Sequence, residues 1–338
     1  MTQNETYTGR KFKALVTEET NDGQFVIRIK NRSIHDLPVH EVLIRVLYSG
    51  LNYKDALSAS GHKGITQKYP HTPGIDAAGV VANSADPALI EGEEVIVTGY
   101  DLGMNTSGGF AEYISVPAAW VVRRPPNLSL EECMVIGTSG FTAASGIYEF
   151  MKHGVDPDAG EVLVTGATGA VGSMAVAMMA AAGYSVCAAT GKASSVEWLK
   201  ELGASRVIDR KLTEDTTGKP LLPARWIAVF DTVGGNILST AIRSTRERGI
   251  ITNCGMIASN DLNVSVFPFI LRAVRLVGIA SAETPMERRL ELWNLIQSTL
   301  KPASLHSIAR TVSLAEVPRE IELMLRGGQQ GKVIIKMD

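Results

Sequence analysis

Val162-Leu-Val-Thr-Gly166-Ala-Thr-Gly169-Ala-Val-Gly172-Ser173 decides the fold of this chain. A short apolar strand, Val162–Thr165, runs into three glycines at three-residue spacing, then into an alanine- and methionine-rich helix predicted over Ala170–Ala182. Gly166 permits the tight bend, Gly169 lets backbone approach a pyrophosphate, and Gly172 lets the helix lie close to the sheet. Thr168 precedes the helix start, and Ala170, Val171, Gly172 and Ser173 form its first turn, whose N–H groups and partial positive charge suit phosphate. The spacing departs from the commoner G-x-G-x-x-G, and glycines alone are weak evidence. The coincidence of strand, turn and small-residue helix makes the stretch a dinucleotide-binding turn. An ordinary glycine-rich turn is the plainer alternative.

Outward from this turn, strands alternate with helices: Ser185–Thr190, helical Val196–Leu202, Arg206–Ile208, Trp226–Phe230 and Gly249–Asn253. Near-continuous apolar strands separated by helices imply an α/β fold, a Rossmann doubly wound parallel sheet covered on both faces. The run Val162–Gly191 carries no charge, so a membrane span competes on hydropathy. Five glycines within it favour a buried strand–helix–strand unit instead. The second strand ends Ala189-Thr190-Gly191-Lys192-Ala-Ser194-Ser195. A site for NAD places Asp or Glu here for the ribose 2′-hydroxyl. This chain offers a lysine and hydroxyls, which suit a 2′-phosphate, and Arg210 after the third strand adds a second cation. NADP(H) is therefore the predicted cofactor; the competing reading makes Lys192 a solvated loop residue.

The first third is β-rich and irregular, with Glu41–Leu47 alternating on a period of two and Glu94–Thr98 and Tyr113–Val116 similar to it. Pro125-Pro126 ends that region, and Ser129 with Glu132 has capping-box spacing for a following helix, so a domain boundary is predicted there. With 338 residues, two domains are the natural expectation. A formal charge of -2 gives no basic excess for nucleic acid or an anionic membrane. The opening MTQNETYTGRKFKAL has no apolar leader region. Three widely separated cysteines fit a reducing cytoplasm and exclude a disulfide framework. Cys254 reads as a small hydrophobe, and Met174, Met178 and Met179 as core filler. Past Pro285, Glu287–Leu300 looks amphipathic, with Leu290, Trp293 and Leu300 on a roughly helical period. Glu287-Arg-Arg289 reads as its solvated face, with a coenzyme A phosphate as an alternative contact for the basic pair. Leu314–Leu325 reads as a helix and Lys332–Lys336 as a final strand.

Further motifs lie in register along the chain: Leu51-Asn-Tyr-Lys-Asp-Ala-Leu57, Pro73-Gly-Ile-Asp-Ala-Ala-Gly79, Gly108-Gly-Phe-Ala-Glu-Tyr113, Gly137-Thr-Ser-Gly-Phe-Thr-Ala143, Asp231-Thr-Val-Gly234, Pro268-Phe-Ile-Leu-Arg272 and Gln330-Gly-Lys332. Together with the glycine turn they resemble the quinone-oxidoreductase branch of the medium-chain dehydrogenase/reductase superfamily. More narrowly, they resemble the bacterial group that includes NADPH-dependent acryloyl-CoA reductases. The resemblance implies a GroES-like β-rich catalytic domain over 1–127, completed by 299–338, and a Rossmann NADP-binding domain over 128–298. It also implies an active site in the cleft between them, and usually a homodimer. Where zinc-dependent alcohol dehydrogenases place their first cysteine ligand this chain has Asn52, and Gly74-Ile75-Asp76 replaces their Gly-His-Glu. Neither thiolate nor imidazole stands at those positions, and the six histidines lack ligand spacing, so no metal is expected.

The implied activity is hydride transfer from NADPH to an activated C=C bond of an enoyl thioester, enone or quinone, with hydrogen-bond donors stabilising the resulting oxyanion. Tyr53 is the leading side chain, as a contact to the nicotinamide ribose or a donor to substrate; a packed tyrosine is the plainer reading. Asn52, Lys54 and Asp55 are secondary candidates, and Asp55 serves equally well as a local cap. Thr142 and Leu271 resemble family positions near the nicotinamide and its ribose. Two rivals stand: a quinone reductase proper, and a non-catalytic NADPH-binding redox sensor. Lys192→Ala is predicted to weaken NADPH binding by about 1.5–3 kcal/mol, the range for hydrogen bonds to charged groups, with NADH binding almost unchanged. Dissociation constants for both nucleotides check this, and equal losses contradict it.

Overall fold

The computed structural model describes Tyr7, residues 9–303 and residues 305–338. The reading of the opening stretch falls partly on residues 1–6 and 8, outside the described residues. Strands β1 (Lys11–Glu19) and β2 (Phe25–Ser33) form an antiparallel ribbon closed by a turn with Gly23 at φ +77. The alternation read near Glu41–Leu47 becomes β3 (Val42–Leu51), whose Val42, Ile44 and Val46 point into a core. Helix α1 (Tyr53–Ala59) follows with Asn52 as N-cap. Strands β4 (Asp76–Ser84), β5 (Glu94–Thr98), β6 (Tyr113–Val116) and β7 (Val122–Arg123) extend the sheet. The predicted cap forms: Ser129 N donates to the Glu132 carboxylate at 2.8 Å and Glu132 N to Ser129 Oγ at 3.1 Å. It opens α2 (Leu130–His153), which breaks at Gly137 (φ 46, ψ -156).

The second sheet starts in its middle. β8 (Glu161–Val164) leads through α3 (Ala170–Ala181) to β9 (Ser185–Thr190), and α4 (Val196–Glu201) leads to β10 (Arg206–Asp209). The chain then crosses to β11 (Trp226–Asp231), continuing through α5 (Gly235–Ser244) to β12 (Thr245–Asn253) and through α6 (Phe267–Arg272) to β13 (Arg275–Gly278). The order is β10-β9-β8-β11-β12-β13, with every pairing parallel. This doubly wound order has its switch point between β8 and β11, where such sheets bind ligands at the strands' carboxyl ends. The charge-free run is β8–α3–β9, and among the described residues no helix is long and apolar enough to cross a membrane.

Helix α7 (Met286–Ile296) corrects the amphipathic reading. Leu292, Trp293 and Ile296 are buried, whereas Leu290 is 46% exposed and the buried Leu300 lies beyond the helix end. Arg289, read as solvated, is 1% exposed and takes the inward position one turn earlier. Its guanidinium donates to Thr98 O (2.8 Å), Thr98 Oγ1 (2.9 Å) and Ala282 O (3.0 Å) and lies 4.4 Å from the Tyr100 ring centre. Those partners absorb a charge that the sequence pattern assigns to solvent.

Finally β14 (Ala309–Ser313), α8 (Val317–Leu325) and β15 (Lys332–Lys336) return to the first sheet, whose order is β14-β15-β3-β4-β5-β7 with β6 also on β3. Within the described residues one compact unit runs to Thr138 and adds Ala282–Leu290 and Ala309–Asp338; the other holds Ser139–Ser281 and Glu291–Ile308. In the second, Met174, Met178 and Met179 are fully buried, and Phe230 meets Phe150 edge-on at 6.5 Å. Phe230→Ala is expected to lower unfolding free energy by about 3–5 kcal/mol through the cavity it leaves. A urea midpoint shift measures this, and a wild-type midpoint contradicts it.

Candidate active site

At the switch point a buried carboxylate ties three strand ends together. Asp231 Oδ1 accepts from Thr165 Oγ1 (2.6 Å), while its Oδ2 accepts from Gly234 N (2.8 Å) and Asn253 Nδ2 (2.7 Å). Burial pushes this carboxyl above the usual range, and these donors pull against that shift. Thr165 also accepts from Thr232 N (3.1 Å), so the β8 turn is held from the β11 side. Gly166 bends at φ +60; a Cβ there would lie 2.2 Å from Thr232 Oγ1. A Cβ at Gly172 would lie 2.3 Å from the Gly166 carbonyl oxygen, so α3 starts as close to the turn as backbone permits. Gly169, the N-cap of α3, differs: its Cβ would meet only Gly166 O, at 3.4 Å. Packing does not require glycine at that position. The first-turn N–H groups of Ala170, Val171 and Gly172 beside it are the donors that a helix start leaves without intrahelical partners.

The next strand end supplies charge. Thr190 is buried and its Oγ1 accepts from Lys192 N (3.0 Å); Ser195, also buried, donates its N–H to Lys192 O (3.0 Å). Lys192 is half-buried, and burial lowers the pKa of its ammonium. Arg210 is exposed and lies over Gly191, where a Cβ would come 2.8 Å from its Nε. A lysine and an arginine thus stand at a strand end that has no carboxylate in Thr190–Ser195. Thr142, on α2, is buried and shares a 2.7 Å hydrogen bond with Ser281. Leu271, on α6, is 59% exposed.

The remaining candidates lie in the first unit. Tyr53 opens α1 and is 51% exposed, whereas Asn52 and Asp55 are buried. Asp55 accepts from Asn52 N (2.8 Å), Gly74 N (3.2 Å) and Ile75 N (2.8 Å). Burial and then the Asp76 carboxylate push its carboxyl up to about 7, against the pull of those donors. Its geometry is that of a cap joining α1 to the 74–75 loop. Asn52 Nδ2 donates to Asp76 Oδ2 (2.8 Å) and Gly50 O (3.1 Å), and Asn52 Oδ1 accepts from Lys332 Nζ (2.7 Å). Asp76 Oδ2 lies 3.3 Å from Lys332 Nζ. Thr138 completes the group, donating its N–H (3.0 Å) and Oγ1–H (2.6 Å) to Asp76 Oδ1. Among the described residues no cluster of three or more His, Cys, Asp or Glu could hold a metal. The oxygens beside Asn52 already face an ammonium, so this donor set does not fit zinc.

Sequence reading missed Lys332 and Thr138, although both lie in the quoted motifs. Strand period does not separate Lys332 from the exposed Lys336 on the same face of β15; the pairing of β15 with β3 does. Gly169→Ala is expected to leave thermal stability near wild type while reducing dinucleotide affinity. Gly172→Ala is expected to lower both. Melting curves and binding titrations check the pair, and equal behaviour of the two variants contradicts the assignment.

Two family profiles match, the alcohol dehydrogenase GroES-like domain over residues 38–126 and the zinc-binding dehydrogenase over residues 170–298. "Putative quinone oxidoreductase YhfP" of Bacillus subtilis is 44% identical over 96% of this chain and 99% of its own. The solved structure of yhfP with NAD bound matches with TM-score 0.94, covering 97% of this chain and 99% of that one. "Probable acrylyl-CoA reductase AcuI" of Escherichia coli is 39% identical over 96% of this chain and all (100%) of its own. The yhdH oxidoreductase of Salmonella enterica, solved with NADP, matches with TM-score 0.93 at 37% identity, over 96% and 100% of the two chains. The chain belongs to the quinone oxidoreductase and acrylyl-CoA reductase branch of the medium-chain dehydrogenase/reductase superfamily.

Proposed function

We propose that this protein is an NADPH-dependent reductase of activated C=C bonds, taking an acryloyl-CoA-type enoyl thioester, enone or quinone, without a metal. The observation that carries the cofactor choice is the pair of cations, Lys192 and Arg210, at a strand end lacking a carboxylate. The Salmonella relative solved with NADP supports it; the Bacillus relative solved with NAD makes the nucleotide comparison essential. Bound NADPH supplies a hydride, which reduces the β-carbon of a conjugated acceptor and leaves an enolate-like oxyanion on the substrate. The protein's part is orientation, donors for that oxyanion, and a proton path.

Tyr53 fits this part best, since its side chain is half exposed while the amide of Asn52 is engaged inside the protein. Asn52 and Asp55 then act by fixing the start of α1. Thr142 and Leu271 are assigned to the nicotinamide and its ribose on family resemblance. The same resemblance assigns catalysis to residues 1–127 with 299–338, and nucleotide binding to 128–298. The second reading, a quinone reductase proper, is favoured by the Bacillus relative's name. A homodimer is supported by the outer edge of β13 and by exposed Met256, Ile257, Val266 and Ile270 nearby in the chain. Cytoplasmic residence is supported by the free thiols of Cys187 and Cys254, the latter raised by burial to about 12 and so unreactive.

Anaerobic NADPH oxidation with acryloyl-CoA, enals and quinones is the deciding assay. Turnover highest with the thioester is expected; turnover confined to quinones selects the second reading, and none at all selects a redox sensor. Tyr53→Phe should lower turnover or NADPH affinity, and wild-type values for both refute its role. Light scattering should give twice the 36.2 kDa chain mass, and a monomer contradicts the dimer.

A further inference from the structure

Asn52 Oδ1 and Asp76 Oδ2 are neighbouring oxygen ligands in a buried place, and a cation already lies against both. Lys332 Nζ is 2.7 Å from the first and 3.3 Å from the second, and the Lys332 and Asp76 side chains are each 0% exposed. We propose that Lys332 is the fixed cation of this site, held against Asn52, the residue that stands in sequence where zinc-dependent alcohol dehydrogenases place their first cysteine ligand. Its role is to position Asn52, and through it Tyr53 at the start of α1. The inference rests on the reading of Tyr53 as a residue facing cofactor or substrate.

Three observations carry it. The first is register. Val333 pairs with Leu51 across β15 and β3, which brings the next residue outward, Lys332, alongside Asn52. The second is amide orientation. Asn52 turns its oxygen to the ammonium and its nitrogen to Asp76 and Gly50, and a flipped amide would set like against like at every contact. Lys332 and Asp76 together leave one orientation. The third is room. A Cβ at Gly50 would lie 3.0 Å from Lys332 Cε, and one at Gly137 2.6 Å from Asp76 Oδ2. The Gly137 break also directs the Thr138 N–H, which opens the second half of α2, at Asp76. A buried ion pair seldom stabilises a fold more than an apolar pair of the same shape does. Orientation of Asn52 is what this pair provides and an apolar pair does not.

The test uses the full chain with four changes: Asp76→Asn, Lys332→Met, the neutral double variant combining them, and Tyr53→Phe. Each single charge change unbalances this buried charge cluster, to which Asp55 is also coupled, and should lower the melting temperature. The neutral double variant should melt near wild type yet lose about tenfold to a hundredfold in kcat/KM for acryloyl-CoA, the scale of a misplaced catalytic group. Adding Tyr53→Phe to it should cost at most about twofold to threefold more, because coupled residues do not contribute independently. A folded neutral variant with wild-type kcat/KM, while Tyr53→Phe is impaired, overturns this inference alone. So does full multiplication of the two losses. Wild-type kinetics for Tyr53→Phe overturn the Tyr53 reading and this inference together. Wild-type protein dialysed against zinc sulfate should retain no stoichiometric zinc; an equivalent retained by wild type and lost in Asn52→Ala also overturns it.

Discussion

The second unit depends on one close approach, that of the α3 backbone at Gly172 to the carbonyl of Gly166. Any side chain at residue 172 would enter that carbonyl oxygen's space. The contact lets α3 begin directly at the carboxyl end of β8, beside the switch point with β11. A helix start at that place gathers unsatisfied N–H groups and positive dipole where the strand order reverses. Gly166 makes the bend and Gly169 leaves the outside open. The geometry of this turn is a consequence of glycine at 166 and 172, whereas packing sets no such requirement at 169.

Each unit also contains a buried aspartate that binds elements together. Asp231 accepts from the ends of β8 and β12 and from the backbone entering α5. Asp76 accepts from Asn52, Lys332 and Thr138, thereby joining the start of α1, β15 and the restart of α2. The two clamps differ in charge balance. Asp231 is held by neutral donors, whereas Asp76 faces an ammonium. A carboxylate paired with a buried lysine makes a rigid and strongly oriented environment for the amide between them.

The Rossmann sheet was legible because its signals are local. Apolar strands, glycine spacing and a small-residue helix lie within short windows, and Ser185–Thr190 forms as read. The cap at Ser129 and Glu132 was legible for the same reason. What escaped is long-range. The partners that bury Arg289 come from Thr98, Tyr100 and Ala282, so no local pattern distinguishes it from a solvated arginine. Lys332 joins Asn52 across most of the chain, and only the strand pairing brings them together. The ribbon of β1 and β2 was missed although Phe25, Ile27 and Ile29 alternate along β2, because that strand is largely exposed and buries little of the pattern.

The most direct measurement of the central claim is competition for the cofactor site by adenosine 2′,5′-bisphosphate and by 5′-AMP, followed by NADPH fluorescence. If Lys192 and Arg210 receive a 2′-phosphate beside the glycine turn, the bisphosphate displaces NADPH at a concentration about tenfold or more below that of AMP, as one added charged hydrogen bond implies. Equal potency of the two compounds would contradict the account.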